Sequence, residues 1–207
     1  MRLYEENGRH IGWFDKDAAL RMTKNLFSVV YALACTKNKP DNSILPCFFE
    51  DTFYFGKSHG ASFDKKNRSY PGVIQTNPHG RLKAHNAQLY NPNTEDDKYR
   101  LFHDKYQLFE NKDPDLRNNN LCIWYSLSIP RADMSDIEIP VFLDAVEKEY
   151  SFLYTKTFKR TPLINLDQKS ETEIKKTPGL EKIDRRVPNT LSHAVMNGNT
   201  LSEFLSI

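Results

Sequence analysis

Residues 99–112, YRLFHDKYQLFENK, and residues 121–129, LCIWYSLSI, are the densest apolar and aromatic runs in the middle of the chain. The first also carries His103, Asp104, Lys105, Glu110 and Lys112, an unusual charge load for a core segment. Core strands rarely hold acid and base together unless the charges are solvated, paired or functional. Both runs are expected to be adjacent strands, joined by the turn-rich KDPDLRNNN, with Pro130 ending the second.

Working outward, Asn7-Gly8 suits a type I′ turn, so Arg2–Phe14 reads as a β-hairpin with Ile11 and Trp13 on its second arm. Asp15 or Asp17 then caps a helix expected to run to about Cys35. Its stripe of Met22, Leu26, Val29 and Leu33 falls at helical spacing. Ile44–Phe49 and Thr52–Phe55 suggest a second hairpin turning at Glu50-Asp51. The long polar stretch from Gly56 to Lys98 is expected to hide a short strand at Val73–Thr76 and a turn of helix around Leu82–Tyr90. Pro140 suits the first position of a helix with Phe142, Val146, Tyr150 and Leu153 on its apolar face. Beyond Tyr150 the alternation of Tyr150, Phe152 and Tyr154 also fits a strand.

The reading is an α+β fold: an antiparallel or mixed sheet with two main helices and a short C-terminal helix. Residues 1–166 form a single domain with a long ordered loop around 56–98. Residues 167–207 form a charged arm and a short helix, which Thr200 and Glu203 would box at its start.

The 207 residues are 39% hydrophobic and 12% aromatic, enough for a packed core, so global disorder is excluded. A net charge of +2 permits a nucleic-acid partner without demanding one. Cys35, Cys47 and Cys122 lie in apolar surroundings without paired or zinc-ligand spacing, as reduced core cysteines of a cytoplasmic protein do. No stretch reads as a signal peptide or a membrane span.

The first candidate chemistry is Glu110-Asn111-Lys112 at the end of an apolar strand, with Asp97 or Asp104 as the upstream acid. Strand periodicity puts Glu110 and Lys112 on one face, where both can point at one phosphate. Hard carboxylate ligands suit Mg²⁺. This arrangement resembles the catalytic core of the PD-(D/E)xK nucleases, although no Pro-Asp pair stands at the upstream acid. The resemblance implies Glu110, Asp104 and Asp97 as metal ligands, and Lys112 as the group that positions or activates a water. Against it stands a solvated strand end.

The second candidate is histidine: His79, His85 and His103, with His59 beside them, as general base or metal ligand. His85 is the one weighed for catalysis, against the simpler reading of surface histidines in a polar loop. Gly56-Lys57-Ser58 follows a strand as a phosphate-binding loop would end, but Asp51 replaces the required glycine and no helix follows. Basic residues gather at Lys65, Lys66 and Arg68, at Arg81 and Lys83, at Lys156, Lys159 and Arg160, and again at Lys175, Lys176, Lys182, Arg185 and Arg186. Acids interleave with the last group, as on a solvated face.

Two function classes follow. One is a nucleic-acid-acting enzyme, a Mg²⁺-dependent phosphodiesterase or nuclease of DNA or RNA. The other is a non-catalytic binding or accessory protein whose aromatic sheet and Asn/Lys-rich loops form a partner surface.

Overall fold

A computed structural model describes residues 8–26, 28–58, 78–106, 120–135, 138–165 and 171–177. Four strands, β1 (Gly8–Phe14), β2 (Val29–Thr36), β3 (Thr52–Ser58) and β4 (Cys122–Pro130), make one antiparallel sheet in the order β1-β4-β2-β3. Helices α1 (Lys16–Thr23), α2 (Pro78–Leu89) and α3 (Asp97–Tyr106) contribute to the core of one face. Helix α4 (Glu138–Phe158) and the short α5 (Glu171–Lys175) cover the other. The α+β class is therefore as expected from sequence.

Period-two alternation explains the two-sided core. From β2, Val29, Tyr31, Leu33 and Cys35 enter the first layer, while Val30 and Ala32 face α4 in the second. The expected helix to Cys35 is corrected here. It ends at Thr23, and Val29–Thr36 is the central strand. A strand covered on both faces is apolar at nearly every position, so a helical stripe can be drawn through it by coincidence. Met22, Leu26, Val29 and Leu33 are all buried as anticipated, but not on one helix face. The start of α1 is as read: Asp15 Oδ1 accepts the Ala18 N–H at 2.7 Å.

The opening stretch needs a second correction. Residues 99–106 belong to a helix, not a strand. Tyr99, Phe102, His103 and Tyr106 recur at i, i+3, i+4 and i+7 and are buried, while Asp104 and Lys105 face solvent. Residues 107–119, including Glu110 and Lys112, lie outside the described residues. Leu121–Ile129 does supply a strand, β4, which pairs with β1 and β2.

The hairpin expected at Ile44–Phe55 is also replaced. Pro46–Phe48 form a 3-10 turn, and β3 pairs with β2 instead. The first arm of the Arg2–Phe14 hairpin and the strand expected at Val73–Thr76 lie outside the described residues, as does the C-terminal helix. The helix expected around Leu82–Tyr90 is present as α2. Helix α4 is described from Glu138, two residues before Pro140, and Ser135 and Glu138 form a capping box at its entry: Ser135 N–H and Oγ–H each reach Glu138 Oε2 at 2.8 Å. It runs on through Tyr154, which resolves the helix-or-strand ambiguity there. Cys35 and Cys47 are buried, but Cys122 is exposed at the start of β4, contrary to the expectation of three core cysteines. Among the described residues no helix is long and apolar enough to cross a membrane.

Strand β3 lies at an edge of the sheet, where unpaired backbone groups need cover. Residues 162–165 supply some of it. Ile164 N–H donates to Phe53 O at 3.1 Å, and the Asn165 amide makes both backbone bonds of Phe55, accepting at 2.5 Å and donating at 2.9 Å. That clamp fixes the strand on which the most unusual polar group of the molecule is built.

Candidate active site

Gly56 opens the site. A Cβ built there would stand 2.7 Å from Tyr31 Cζ and Oη and 2.8 Å from Tyr54 Cε1. Only a residue without a side chain lets the Tyr31 phenol lie across β3 in register with position 56. Tyr31 and Tyr54 thus come together, their rings 6.0 Å apart between centroids.

Helix α2 presents Arg81 and His85, four residues apart and so on neighbouring turns of one face. His85 is buried and bridges two phenols: Tyr31 Oη lies 2.7 Å from its Nε2, and Tyr99 Oη lies 2.6 Å from its Nδ1. Burial, and then the positive charges of Arg81 and Lys98, lower the His85 pKa to about 3. The ring is therefore neutral near pH 7 and has one N–H and one lone pair to share between the two hydroxyls. Beside it, Asn86 accepts a hydrogen bond from the Tyr125 hydroxyl.

The exposed Arg81 guanidinium lies close enough to the Tyr31 and Tyr54 phenols for its charge to act on both. Burial pushes the Tyr31 pKa well above its ordinary value, with Tyr54 adding to the rise and Arg81 opposing it. Tyr54 is also raised, by burial first and then by the negative charge of Glu147 on α4. Both hydroxyls consequently stay protonated near neutral pH.

On the other side of Tyr54 lies an ion-pair network. Lys57 Nζ is held by the Asp144 carboxylate and by Glu147 Oε2 at 3.1 Å; Lys148 Nζ reaches Asp144 Oδ2 at 2.6 Å and Thr177 Oγ1 at 3.2 Å. Burial would raise Asp144, but Lys57 and Lys148 outweigh it and hold the carboxyl below its usual value. The two sets lie on opposite faces of β3, Arg81 and the two phenols on the α2 side, and Lys57, Asp144 and Glu147 on the α4 side.

The residues singled out from the sequence are distributed differently. His85 is central, but with both ring nitrogens taken by phenols it holds Tyr31 in place and has no lone pair to spare for a cation. Asp97 and Asp104 are exposed on α3 and seven residues apart, about 10 Å along the axis. Asp97 pairs with Arg100. The structure does not bring these two carboxylates together. His79 donates its Nδ1–H to Leu20 O at 2.9 Å, and His103 its Nε2–H to Leu89 O at 3.1 Å. Glu110, Lys112 and His59 lie outside the described residues. Sequence reasoning missed Tyr31, Tyr54 and Glu147. Gly56-Lys57 and Arg81 were noticed, but for a phosphate loop and a basic patch. The available signal was a tyrosine two residues before a strand glycine, together with Arg81 and His85 at i and i+4.

Among the described residues no group of three or more His, Cys, Asp or Glu could enclose a metal ion. The chain matches no protein-family model, no curated protein and no solved structure.

Proposed function

We propose that this protein is a phosphodiesterase acting on nucleic acid, with its centre at the β3 edge rather than at Glu110 and Lys112. The observation that carries this reading is a guanidinium, exposed on one side, that rests on two protonated phenols with a carboxylate beyond them. Arg81 offers a charged fork for the non-bridging oxygens of a phosphodiester. The hydroxyl of the partly exposed Tyr54 is a donor that can follow charge onto those oxygens or orient a water for in-line attack, while the buried Tyr31 phenol stands behind it beside Arg81. His85, pinned between Tyr31 and Tyr99, keeps that hydroxyl from rotating away.

The carboxylates of Asp144 and Glu147 are engaged by Lys57 and Lys148, a neutral set that does not fit a divalent cation, so the reading routes no step through Mg²⁺.

The test is cleavage of labelled single- and double-stranded DNA and RNA with Mg²⁺ or Mn²⁺. Arg81→Ala should lower cleavage by ~100-fold or more, the scale of losing one preorganised charge contact. Its melting temperature should stay near that of the wild type, because the side chain is exposed. No cleavage by the wild type with either metal would reject the enzyme reading and leave the accessory-binding alternative.

A further inference from the structure

Four described phenols gather around His85 and Asn86, and they differ in access. Tyr31, Tyr99 and Tyr125 are 1%, 4% and 0% exposed, whereas Tyr54 is partly exposed. We infer that Tyr54 is the nucleophile of this site: it attacks the phosphodiester itself, instead of orienting a water, and holds the cleaved strand as a phosphotyrosyl ester until water releases it. This rests on the phosphodiesterase reading and adds to it a covalent step and the residue that carries it.

Three observations carry the inference. The Tyr54 ring is held on several sides: its centroid lies 4.7 Å from that of His85 and 6.0 Å from that of Tyr31. Gly56 leaves it room, since a Cβ there would stand 2.8 Å from Tyr54 Cε1. A reacting group held in one orientation has little freedom left to lose on the way to the transition state. Second, the charge of Arg81 acts on the Tyr54 phenol, against the rise in pKa that burial and Glu147 cause. A neighbouring cation favours the phenolate, and the same guanidinium fork suits the non-bridging oxygens of a phosphodiester, so one group draws nucleophile and phosphorus together. Third, Tyr31 is already committed: it is buried, with Oη 2.7 Å from His85 Nε2, and serves as a positioning residue behind Tyr54.

The chemistry balances in two displacements. In the first, Tyr54 Oη gives its proton to solvent water and bonds to phosphorus, in line with the leaving oxygen. The P–O bond to that oxygen breaks, and it takes a proton from water and departs as a free hydroxyl. In the second, water attacks the same phosphorus, the Oη–P bond breaks, and the phenolate takes up the proton that the water loses. The sum is hydrolysis of a diester to a hydroxyl and a monoester. A phenol, with an ordinary pKa of about 10, leaves more readily than a sugar alcohol, so the ester on Tyr54 is the more easily broken of the two. Two in-line displacements retain configuration at phosphorus, whereas a single attack by water inverts it.

The p-nitrophenyl ester of thymidylate tests this directly, because its coloured leaving group is too weak a nucleophile to return. Wild-type chain mixed with the ester and quenched in acid should carry a thymidylyl group on the peptide that contains Tyr54, read as a mass gain. Tyr54→Phe, which keeps the ring and its packing, should carry none and release nitrophenolate slower by roughly 1,000-fold or more, the scale of losing a nucleophile. Tyr31→Phe should still form the adduct on Tyr54. A phosphorothioate diester of known configuration, hydrolysed by the wild type in water enriched in heavy oxygen, should give net retention. That measurement needs no variant and decides the case where the adduct is too short-lived to trap. Inversion, or release by Tyr54→Phe at the wild-type rate, overturns the nucleophile and leaves the phosphodiesterase reading standing. An adduct formed from the ester by a chain that cleaves neither DNA nor RNA supports the nucleophile and rejects nucleic acid as the substrate. No hydrolysis of any of these diesters by the wild type rejects the reading and the inference together.

Discussion

Replacing Gly56 by alanine perturbs fold and site at one atom. The new methyl would sit 2.7 Å from Tyr31 Cζ and Oη and 2.8 Å from Tyr54 Cε1, distances that real Cβ contacts do not tolerate. Tyr31 is almost fully buried and hydrogen-bonded to His85, so it cannot swing into solvent; either β3 shifts or the phenol tilts away. Overpacking of this kind costs about 1–3 kcal/mol. For a chain of this size that lowers Tm by roughly 2–4 °C per kcal/mol. Displacing Tyr31 would also pull its oxygen from Arg81, so cleavage should fall further than the lost stability explains. Urea denaturation of Gly56→Ala, Tyr31→Leu and the double variant closes a cycle in which the pair should couple by roughly 0.5–3 kcal/mol, the alanine being cheaper once the phenol is gone. A cost below about half a kcal/mol for Gly56→Ala in the wild-type background would refute the reasoning, since it would mean that Tyr31 does not cross the strand at this glycine.

Three more outcomes are expected. Asn165→Ala leaves both backbone groups of Phe55 without the amide and should cost about 1–3 kcal/mol at roughly 0.5–1.5 per hydrogen bond, with hydrogen exchange at the Phe55 amide accelerating more than at Ala32. Leu26→Ala removes a side chain only 3% exposed from the first core layer and should cost about 2–5 kcal/mol by chemical denaturation. The third concerns acid. The pKa of His85 is about 3 in the folded chain against its ordinary 6.5, so below about 6.5 the unfolded chain takes a proton that the folded one refuses. Its contribution is complete above pH 6.5 and is lost as pH falls toward 3, at up to roughly 1.4 kcal/mol per pH unit. His85→Gln should flatten that part of the stability–pH curve, and an unchanged slope would count against a buried neutral ring.

The legible parts of this fold were those in which local chemistry and tertiary environment agree. Asp15 caps α1 by its own side chain, and β4 follows the apolar run before Pro130. The illegible parts share one cause: short apolar runs whose period is decided by what covers them. Strand β2 is apolar on both faces because α2, α3 and α4 lie on either side, and nothing within Val29–Thr36 announces those helices. Residues 99–106 failed in the opposite sense. Their charges looked out of place for a strand because they occupy the outer face of a helix, while the apolar and aromatic positions keep a 3.6-residue period. The site was obscure for a related reason. Its members are scattered over residues 31, 54, 56, 81, 85 and 147, and only cross-strand register unites the first three. Gly56 was visible as a glycine in a strand, yet the reason for it is a phenol 25 positions earlier.

The polar chain Tyr99–His85–Tyr31 is harder to account for as packing than as preparation for chemistry. It lies within a layer otherwise built from Leu33, Phe53, Leu82, Phe102 and Leu127, where apolar side chains would fill the same space without desolvating an imidazole and two hydroxyls. Buried polar groups of this sort approach neutrality only when each is satisfied, and the neighbouring Asn86 Nδ2 has no partner among the described residues. What the chain does achieve is directional. Each hydroxyl and ring nitrogen fixes the next, and the series ends not in the core but at an exposed guanidinium. A network that served stability alone would close on itself. This one fixes the buried Tyr31 phenol beneath the exposed Arg81 guanidinium, which is the arrangement that the proposed phosphodiesterase site would use.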